Sequence, residues 1–505
     1  MRRLLFYFIF SVISSLQFLS AQNISGTLKD FQTKEPIPFA TVQYGANKGV
    51  VTNDEGFFSI PGEKISVDKI SISSIGYETV DIPINKLEEI IYLKEKSIEL
   101  ADVFISDKNL SAEEIVERAL ARVDSNYNFN LTKKRFFFRR SYFNNVNQFD
   151  LEVEESTVPE VNQDLMDEVV AKIPDYAHSY YEYLGDFYGN QEKQKVQLIK
   201  AANLENPVNE ESLEELSHRF EKILQENLGE DTFLKIKTGI LGFKMDAEEI
   251  NEGIEKANNP EEKTAEELEK EQVKKHKEVQ ETAAKLIKGQ LQNMFWKEDG
   301  KLDVFEKSRK YDFAVDGYTQ LDNSIVYIIS FEPKRKADFR GKMYVNTEDF
   351  GIHRLDYENV KPLKKFSLFG ISAKNDVYRG SMIFSRDSLG KYNPKYLEVQ
   401  DGSTVGVDRP LKLMVKEDRW LFNKKLKEVD MEIRINNSDI SKFQLVIYEN
   451  SEIDEGTYNS LNVTEEFEFG NFKKYNPDFW TGYNIIEPNA AIKAFEVIDE
   501  EEQDL

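Results

Sequence analysis

No cysteine occurs anywhere in the 505 residues, which removes disulfides, thiolate metal ligands and nucleophilic thiols together. It also removes the residue that carries the lipid of a bacterial lipoprotein, so the chain is expected not to be one. Histidine is nearly as scarce, with four in all, spread out at His178, His218, His276 and His353. A serine triad would need a nucleophile elbow, and no glycine-x-serine-x-glycine occurs. Neither a phosphate loop nor a dinucleotide fingerprint is present. The serine-x-x-lysine spacing occurs at Ser66 to Lys69, inside a strand-rich segment, and at Ser388 to Lys391, in a turn; both are what chance supplies in a chain rich in these residues. Beyond residue 21 no run is long and apolar enough for a membrane helix. Positive charge is short as well, with 66 Lys and Arg against 91 Asp and Glu, a net charge of −25. That balance disfavours nucleic acid and anionic membrane as partners, because both would be repelled. The 91 carboxylates are too many to single out a catalytic pair.

What is present begins with an export signal. Arg2 and Arg3 precede an almost unbroken apolar run from Leu4 to Leu19, and Ser20-Ala21 supplies the small residues a signal peptidase needs. Cleavage before Gln22 is expected. Loss of Arg2 and Arg3 then takes the net charge from −25 to −27. The expected location is the periplasm or the outer membrane of a Gram-negative-type envelope.

From Ile24 to Leu93 short strands alternate with turn chemistry. Ala40, Val42 and Tyr44 face one way, and Asn53-Asp54-Glu55-Gly56 is a turn whose glycine can take the positive φ needed before Phe57. Asp54 and Glu55 lack the spaced oxygens of a calcium site, so the turn reading is preferred. The ordered segments Glu35-Pro36-Ile37-Pro38-Phe39-Ala40-Thr41-Val42, Thr52 to Ile60 and Ser73-Ser74-Ile75-Gly76-Tyr77 resemble the carboxypeptidase-regulatory-like β-sandwich, a transthyretin- or immunoglobulin-like module of about seven strands. Similar modules precede outer-membrane TonB-dependent receptors, where an acidic-valine segment like Leu100-Ala101-Asp102-Val103 follows. This chain is too short for a receptor's plug and barrel. The fold implies an address and not a reaction.

After the module, Ser111 with Glu114 makes a capping box for a helix with the stripe Ile115, Val116, Ala119, Leu120 and Val123. That segment, Ser111 to Tyr127, and the ending Phe479 to Pro488 resemble parts of envelope proteins of unknown function that carry the same module. Phe136-Phe137-Phe138-Arg139-Arg140-Ser141-Tyr142 reads as a half-buried strand. Between Val158 and Trp296 the period turns helical: Ser212 with Glu215 caps a helix ending near Gly229, and Thr264 with Glu267 caps a longer one carrying Leu268, Val273, Val279, Ala283, Leu286 and Ile287. His178 is placed in a tyrosine-rich helix. Ala247 to Lys277, thick with Glu and Lys, reads as a solvated helical hairpin. Strands return from Tyr311, and Val429, Met431, Ile433 and Ile435 alternate with Asp430, Glu432 and Arg434. The hairpin through Tyr344 and Leu355 resembles those of lipoprotein-carrier-type half-barrels.

The expected fold is therefore multi-domain and mainly β: a signal peptide at 1–21, the sandwich at 22–95, a linker and helix at 96–130, first strands at 131–157, a charged helical insertion at 158–300, a large antiparallel sheet, curved like a half-barrel, at 301–490, and an acidic tail at 491–505. One zinc arrangement needs testing, because His218-Arg219-Phe220-Glu221 has the spacing of a zinc carboxypeptidase and His353 lies downstream. Phe220 belongs to the buried stripe, so His218 two positions away turns toward water without supporting groups. No catalytic, cofactor-binding or metal-binding residue is assigned. The expectation is a non-enzymatic exported protein whose sandwich is a docking or spacer module and whose sheet binds a polypeptide, glycan or lipid. The alternative is a periplasmic carrier of lipid or lipoprotein, followed by a small outer-membrane barrel and a zinc carboxypeptidase-like enzyme.

Overall fold

The computed structural model describes residues 23–45, 48–62, 67–96, 110–205, 210–229, 231–239, 241–258, 264–321, 324–334, 336–417 and 423–495. The export signal, Ser66, Leu100 to Val103 and the tail beyond residue 495 lie outside them.

Seven short strands form the sandwich: β1 (Ile24–Asp30), β2 (Thr41–Gly45), β3 (Lys48–Val51), β4 (Phe57–Ile60), β5 (Lys69–Ser73), β6 (Val80–Pro83) and β7 (Ile90–Leu93). Three of them pair as β4-β1-β7 and four as β3-β2-β5-β6. Ala40, Val42, Tyr44, Phe58, Ile60, Ile70 and Ile72 meet between the two sheets. The Asn53 to Gly56 turn carries the chain from β3 in one sheet to β4 in the other, so it is an inter-sheet crossing. Gly56 has φ 73° there, and a Cβ at that position would lie 2.4 Å from the Leu28 carbonyl oxygen, which is why only glycine fits.

Helix α1 (Ala112–Ala121) and the single turn α2 (Val123–Asn126) lead into the second body. The capping box of Ser111 and Glu114 is formed as read. Then come β8 (Thr132–Ser156), α3 (Gln163–Ala171), β9 (Tyr176–Gly189), β10 (Gln194–Glu205), α4 (Glu210–Asn227), β11 (Thr232–Thr238) and β12 (Leu241–Asp246). Helices α5 (Ala247–Asn258) and α6 (Ala265–Gln292) follow, the latter with the Thr264–Glu267 capping box. The C-terminal half supplies β13 (Tyr311–Leu321), β14 (Ser324–Pro333), β15 (Phe339–Asn346), β16 (Ile352–Asn359), β17 (Lys364–Leu368), β18 (Ile371–Arg386), β19 (Tyr392–Glu417) and β20 (Lys424–Glu452). The single turn α7 (Glu455–Ser460), β21 (Glu468–Phe472) and the short α8 (Ala490–Lys493) end it.

Fourteen of these strands make one open sheet, ordered β13-β14-β15-β16-β18-β19-β20-β8-β9-β10-β21, with the hairpins β17–β18 and β11–β12 attached at β18 and β19. The path has two ends, β13 and β21, so the sheet does not close into the barrel entertained above. It is mixed and not purely antiparallel, because β21 runs parallel to β10.

The insertion expected to be helical contains four strands. His178, placed in a helix by the sequence reading, lies on β9, where it meets Phe143 edge-on. Tyr and Phe favour a pleated surface, and β9 is covered on both faces over Leu184 to Phe187, so its run of aromatics shows little alternation. Helix α4 begins at Glu210, two residues before the predicted cap at Ser212. Helices α5 and α6 are both helical as expected, yet Leu268 and Val273 are exposed, and the packed stripe of α6 starts only at Val279.

Three layers result. One face of the sheet is lined by α1, α6 and the segment Met294 to Phe305, and its core includes Phe136, Phe138, Tyr183, Ile329, Phe339, Leu355 and Leu445. The opposite face meets the sandwich and the C-terminal segment through Phe137, Ala202, Tyr396, Val446, Trp480 and Ile486. Phe136, Phe137 and Phe138 are all fully buried, because successive residues of β8 point into different layers. The strand read as half-buried is buried on both faces over Phe136 to Arg139, while Arg140 and Tyr142 stay half-buried.

Candidate functional site

Three places where polar groups or apolar surface concentrate can be built from the sequence upward. The first is the junction between the sandwich and the sheet. The Asn53 to Gly56 turn is pressed against it: Lys442 Nζ donates to Asp54 Oδ2 at 2.6 Å, Asn53 Nδ2 to the Pro488 carbonyl at 3.2 Å, and the Ala490 amide to Glu55 Oε1 at 2.8 Å. Lys442 also reaches Glu398 at 3.3 Å, and Tyr396 donates to that same carboxylate. Phe39 stacks on Tyr396 with ring centroids 4.3 Å apart. It does so from the left-handed region, at φ 61°, a placement that costs about 1–2 kcal/mol for a side chain of this kind and is held by the hydrogen bond of its amide to the Thr52 carbonyl.

Beneath the same junction lies a buried ion pair. Arg139 is 2% exposed and Glu182 0%. The guanidinium gives Glu182 Oε1 an Nε–H bond at 2.6 Å and the Ile486 carbonyl a bond at 2.8 Å, while Trp480 Nε1 donates to Glu182 Oε2 at 2.9 Å. Every strong demand of the pair is thus answered, as burial of charge requires. The segment Phe479 to Pro488 is the wedge that completes it. These contacts are mechanical, and they make the sandwich a fixed part of the sheet body.

The second place surrounds His353 on β16. Its Nε2 lies 3.2 Å from the Tyr392 hydroxyl, which donates to Asp349 Oδ1 at 3.0 Å, and Arg386 stands 3.5 Å from that carboxylate. Burial pushes the imidazole down to about 4, against a smaller upward pull from Asp349. The neighbouring Tyr127 hydroxyl accepts from the Ile352 amide and donates to its carbonyl, so the whole group pins the end of the β15–β16 hairpin beneath α1 and α2. The other histidines sit elsewhere. His218 and Glu221 form a 3.2 Å pair on the solvent side of α4, with Phe220 packed inward, and His276 rests on Phe467 and Phe469. Among the described residues no three His, Asp or Glu side chains are placed to hold a metal ion.

The third place is the one with surface to offer a ligand. Opposed residues in a ladder share a face, and register makes Phe366, Ala373 and Val405 neighbours on one face, with Leu368, Ile371 and Val407 beside them. Odd positions continue along β19 through Leu411, Leu413 and Val415, which pair with Met431, Val429, Ile236 and Leu234. On β12, Phe243 and Met245 extend the same face. Helices α3, α4 and α5 cover one part of it, packing Leu165, Met166, Leu216, Ile223, Leu228 and Ala247 on Val429, Met431 and Val415. The rest is bare. Phe243 is 61% exposed and Phe366 53%, with Leu241, Met245, Leu368 and Val405 also exposed.

Arg409 organises this surface. The hairpin turns of β11–β12 and β17–β18 approach each other head to head along β19. Arg409 Nη2 donates to the Thr238 carbonyl at 2.7 Å, and the Asp408 amide to the Gly370 carbonyl at 2.7 Å. A Cβ on Gly370 would come 2.0 Å from the Asp408 oxygen, so the approach requires glycine. None of these residues was singled out by the sequence reading. The signal was there in Lys364-Lys365-Phe366-Ser367-Leu368-Phe369-Gly370-Ile371, which puts aromatics at and next to a turn.

Residues 24–105 match the CarboxypepD_reg-like domain family, and the N-terminal sandwich is a carboxypeptidase-regulatory-like domain. No curated protein matches the chain. Among solved structures the chain is similar to a LolA superfamily protein from Nitrosomonas europaea, at 8% identity over 68% of this chain and 94% of that one, with a TM-score of 0.16. It is also similar to the MucA/MucB complex structure from Pseudomonas aeruginosa, at 6% identity over 64% and 93%, TM-score 0.15. A third likeness is to a protein from Bacteroides fragilis described as membrane-associated and of unknown function, at 9% identity over 85% and 98%, TM-score 0.11.

Proposed function

We propose that this chain is a non-catalytic binding protein of the cell envelope, in which the carboxypeptidase-regulatory-like domain braces an open sheet and the sheet's uncovered apolar face takes the ligand. The observation that carries this reading is the bare face of Leu241, Phe243, Met245, Phe366 and Leu368, continuous in register with a face that α3, α4 and α5 cover elsewhere. Apolar surface left contiguous in this way marks a place where something docks. The sandwich supports it as a brace: its Asn53 to Gly56 turn is spent on Lys442, Pro488 and Ala490. The Tyr392, Asp349 and Tyr127 groups beside His353 are spent on holding the end of the β15–β16 hairpin. The carrier alternative has less in its favour, because the face that a half-barrel carrier would use is packed by α1 and α6 with Ile115, Ala283, Ile287 and Phe295.

Binding of an apolar fluorescent dye tests the reading. Phe243→Ser with Phe366→Ser should remove most of the dye fluorescence seen with the parent protein while leaving its thermal unfolding cooperative. Equal fluorescence from parent and variant would sink the assignment of this face.

A further inference from the structure

The two hairpins that carry the bare face have a charge opposite to that of the chain. Residues 232–246 and 364–376 together hold six lysines against two acids, Asp246 and Asp376, in a protein of net charge −25. Their arrangement is costly. Lys365 stands directly opposite Lys374 and Lys235 directly opposite Lys244, and like charges facing across a ladder repel. Lys374 and Lys244 find relief at Asp376 and Asp246, at 2.9 and 3.0 Å. Among the described residues, Lys235, Lys237, Lys364 and Lys365 make no ion pair.

A second feature lies at the β17–β18 turn. Phe369 has φ 50° and Gly370 φ 74°, so both central residues of this two-residue turn are left-handed, a conformation that ordinarily takes Asn-Gly. Phe369 is nevertheless there, and it is 66% exposed. Its ring gains little from the fold to offset the strained backbone. Such an outlier points toward a use outside the folded chain.

From this we infer that the edge formed by β17 and β12 is a membrane-docking surface, on which Phe243, Phe366 and Phe369 enter the acyl boundary of a bilayer and Lys235, Lys237, Lys364 and Lys365 bind the phosphates of anionic phospholipids. The inference rests on the apolar face proposed above and names its partner. Lys364 shares the face of Phe366, while Lys235, Lys237 and Lys365 project from the opposite face of the same edge; an edge that enters side-on therefore sets lysines to either side of its apolar residues, which matches a phospholipid interface, apolar within and anionic at its surface. Long lysine stems allow the ammonium groups to stay at the headgroup level while the rings go deeper. The acidic remainder of the protein then faces away from the membrane, so the net charge orients the molecule and does not prevent its binding. The anionic-membrane exclusion drawn from total charge gives way here to local composition.

The test is sedimentation of the full mature chain with vesicles of phosphatidylglycerol and phosphatidylethanolamine, compared with vesicles of phosphatidylcholine alone. Binding to the anionic vesicles is expected and should weaken with salt. Replacing Lys235, Lys237, Lys364 and Lys365 by Gln should lower that affinity by roughly fivefold per lysine, and Phe243→Ser, Phe366→Ser and Phe369→Ser together should abolish it on both vesicle types. Circular dichroism checks that each variant remains folded. No binding by the parent protein, or binding that survives both sets of substitutions, would overturn the inference. If the apolar dye still binds the parent and fails with the Phe variants while vesicles are ignored, the binding face stands and the lipid assignment falls; an acidic polypeptide would then be the partner to seek.

Discussion

Two stretches of the same sheet meet opposite fates. Along Phe136 to Arg139 of β8 and Glu182 to Phe187 of β9 both faces are covered, by helices on one side and by the sandwich with the Phe479 to Pro488 wedge on the other, and even the charges of Arg139 and Glu182 are enclosed with every strong partner supplied. Along β17 and β12 one face keeps its apolar residues bare and the other carries lysines set against lysines. Where a sheet is enclosed, its polar groups are matched inside the protein. Where it is open, the mismatch is left on the surface, and that difference locates the working end of the molecule.

The comparison can be broken first at the enclosed end, where the largest effects are expected. Glu182→Ala leaves Arg139 and the Trp480 indole without their acceptor in a dry interior and should cost about 3–5 kcal/mol in chemical denaturation. The double replacement Arg139→Met with Glu182→Leu should restore most of that loss. A double variant as unstable as the single one would mean that the junction needs the ion pair itself and not merely its satisfaction.

A smaller effect follows from His353, also enclosed. Its folded value of about 4 lies below the ordinary value of about 6.5, so the unfolded chain takes up the proton first. Stability is therefore full above pH 6.5 and falls as the pH drops toward 4, by about 3 kcal/mol at most from this group. His353→Phe should flatten that part of a stability-against-pH curve measured by urea unfolding. An unchanged slope would show that carboxylates alone cause it.

The smallest effect belongs to the open end and has the opposite sign. Phe369→Asn relieves a left-handed backbone at an exposed site and should raise stability by about 1 kcal/mol, seen as a higher melting temperature, while vesicle binding declines. Loss of stability in this variant would place Phe369 in the fold after all.

Much of the architecture was readable. Seven short strands with turn residues between them specified the sandwich, and the two capping boxes, Ser111 with Glu114 and Thr264 with Glu267, formed as spelled. Alternation at Val429 to Ile435 marked a strand with one covered face. Strand β9 escaped notice because both of its faces are buried over Glu182 to Phe187, which erases the two-residue period on which such readings depend. Glu182, in the middle of a tyrosine run, could not be known as a buried acid until Arg139 and Trp480, far away in the chain, were brought against it.

The amino-acid order by itself determined what depends on near neighbours: the sandwich, the two capped helix starts at Ser111 and Thr264, and the absence of thiol chemistry. Turn, cap and period are short-range effects, and they need no partner from elsewhere. The tertiary structure alone decided which face of the sheet stays bare, that the Asn53 to Gly56 turn serves as an internal brace, and that two lysine-bearing hairpins from opposite halves of the chain meet at Arg409. Those outcomes depend on pairings between distant strands, where register sets the neighbours.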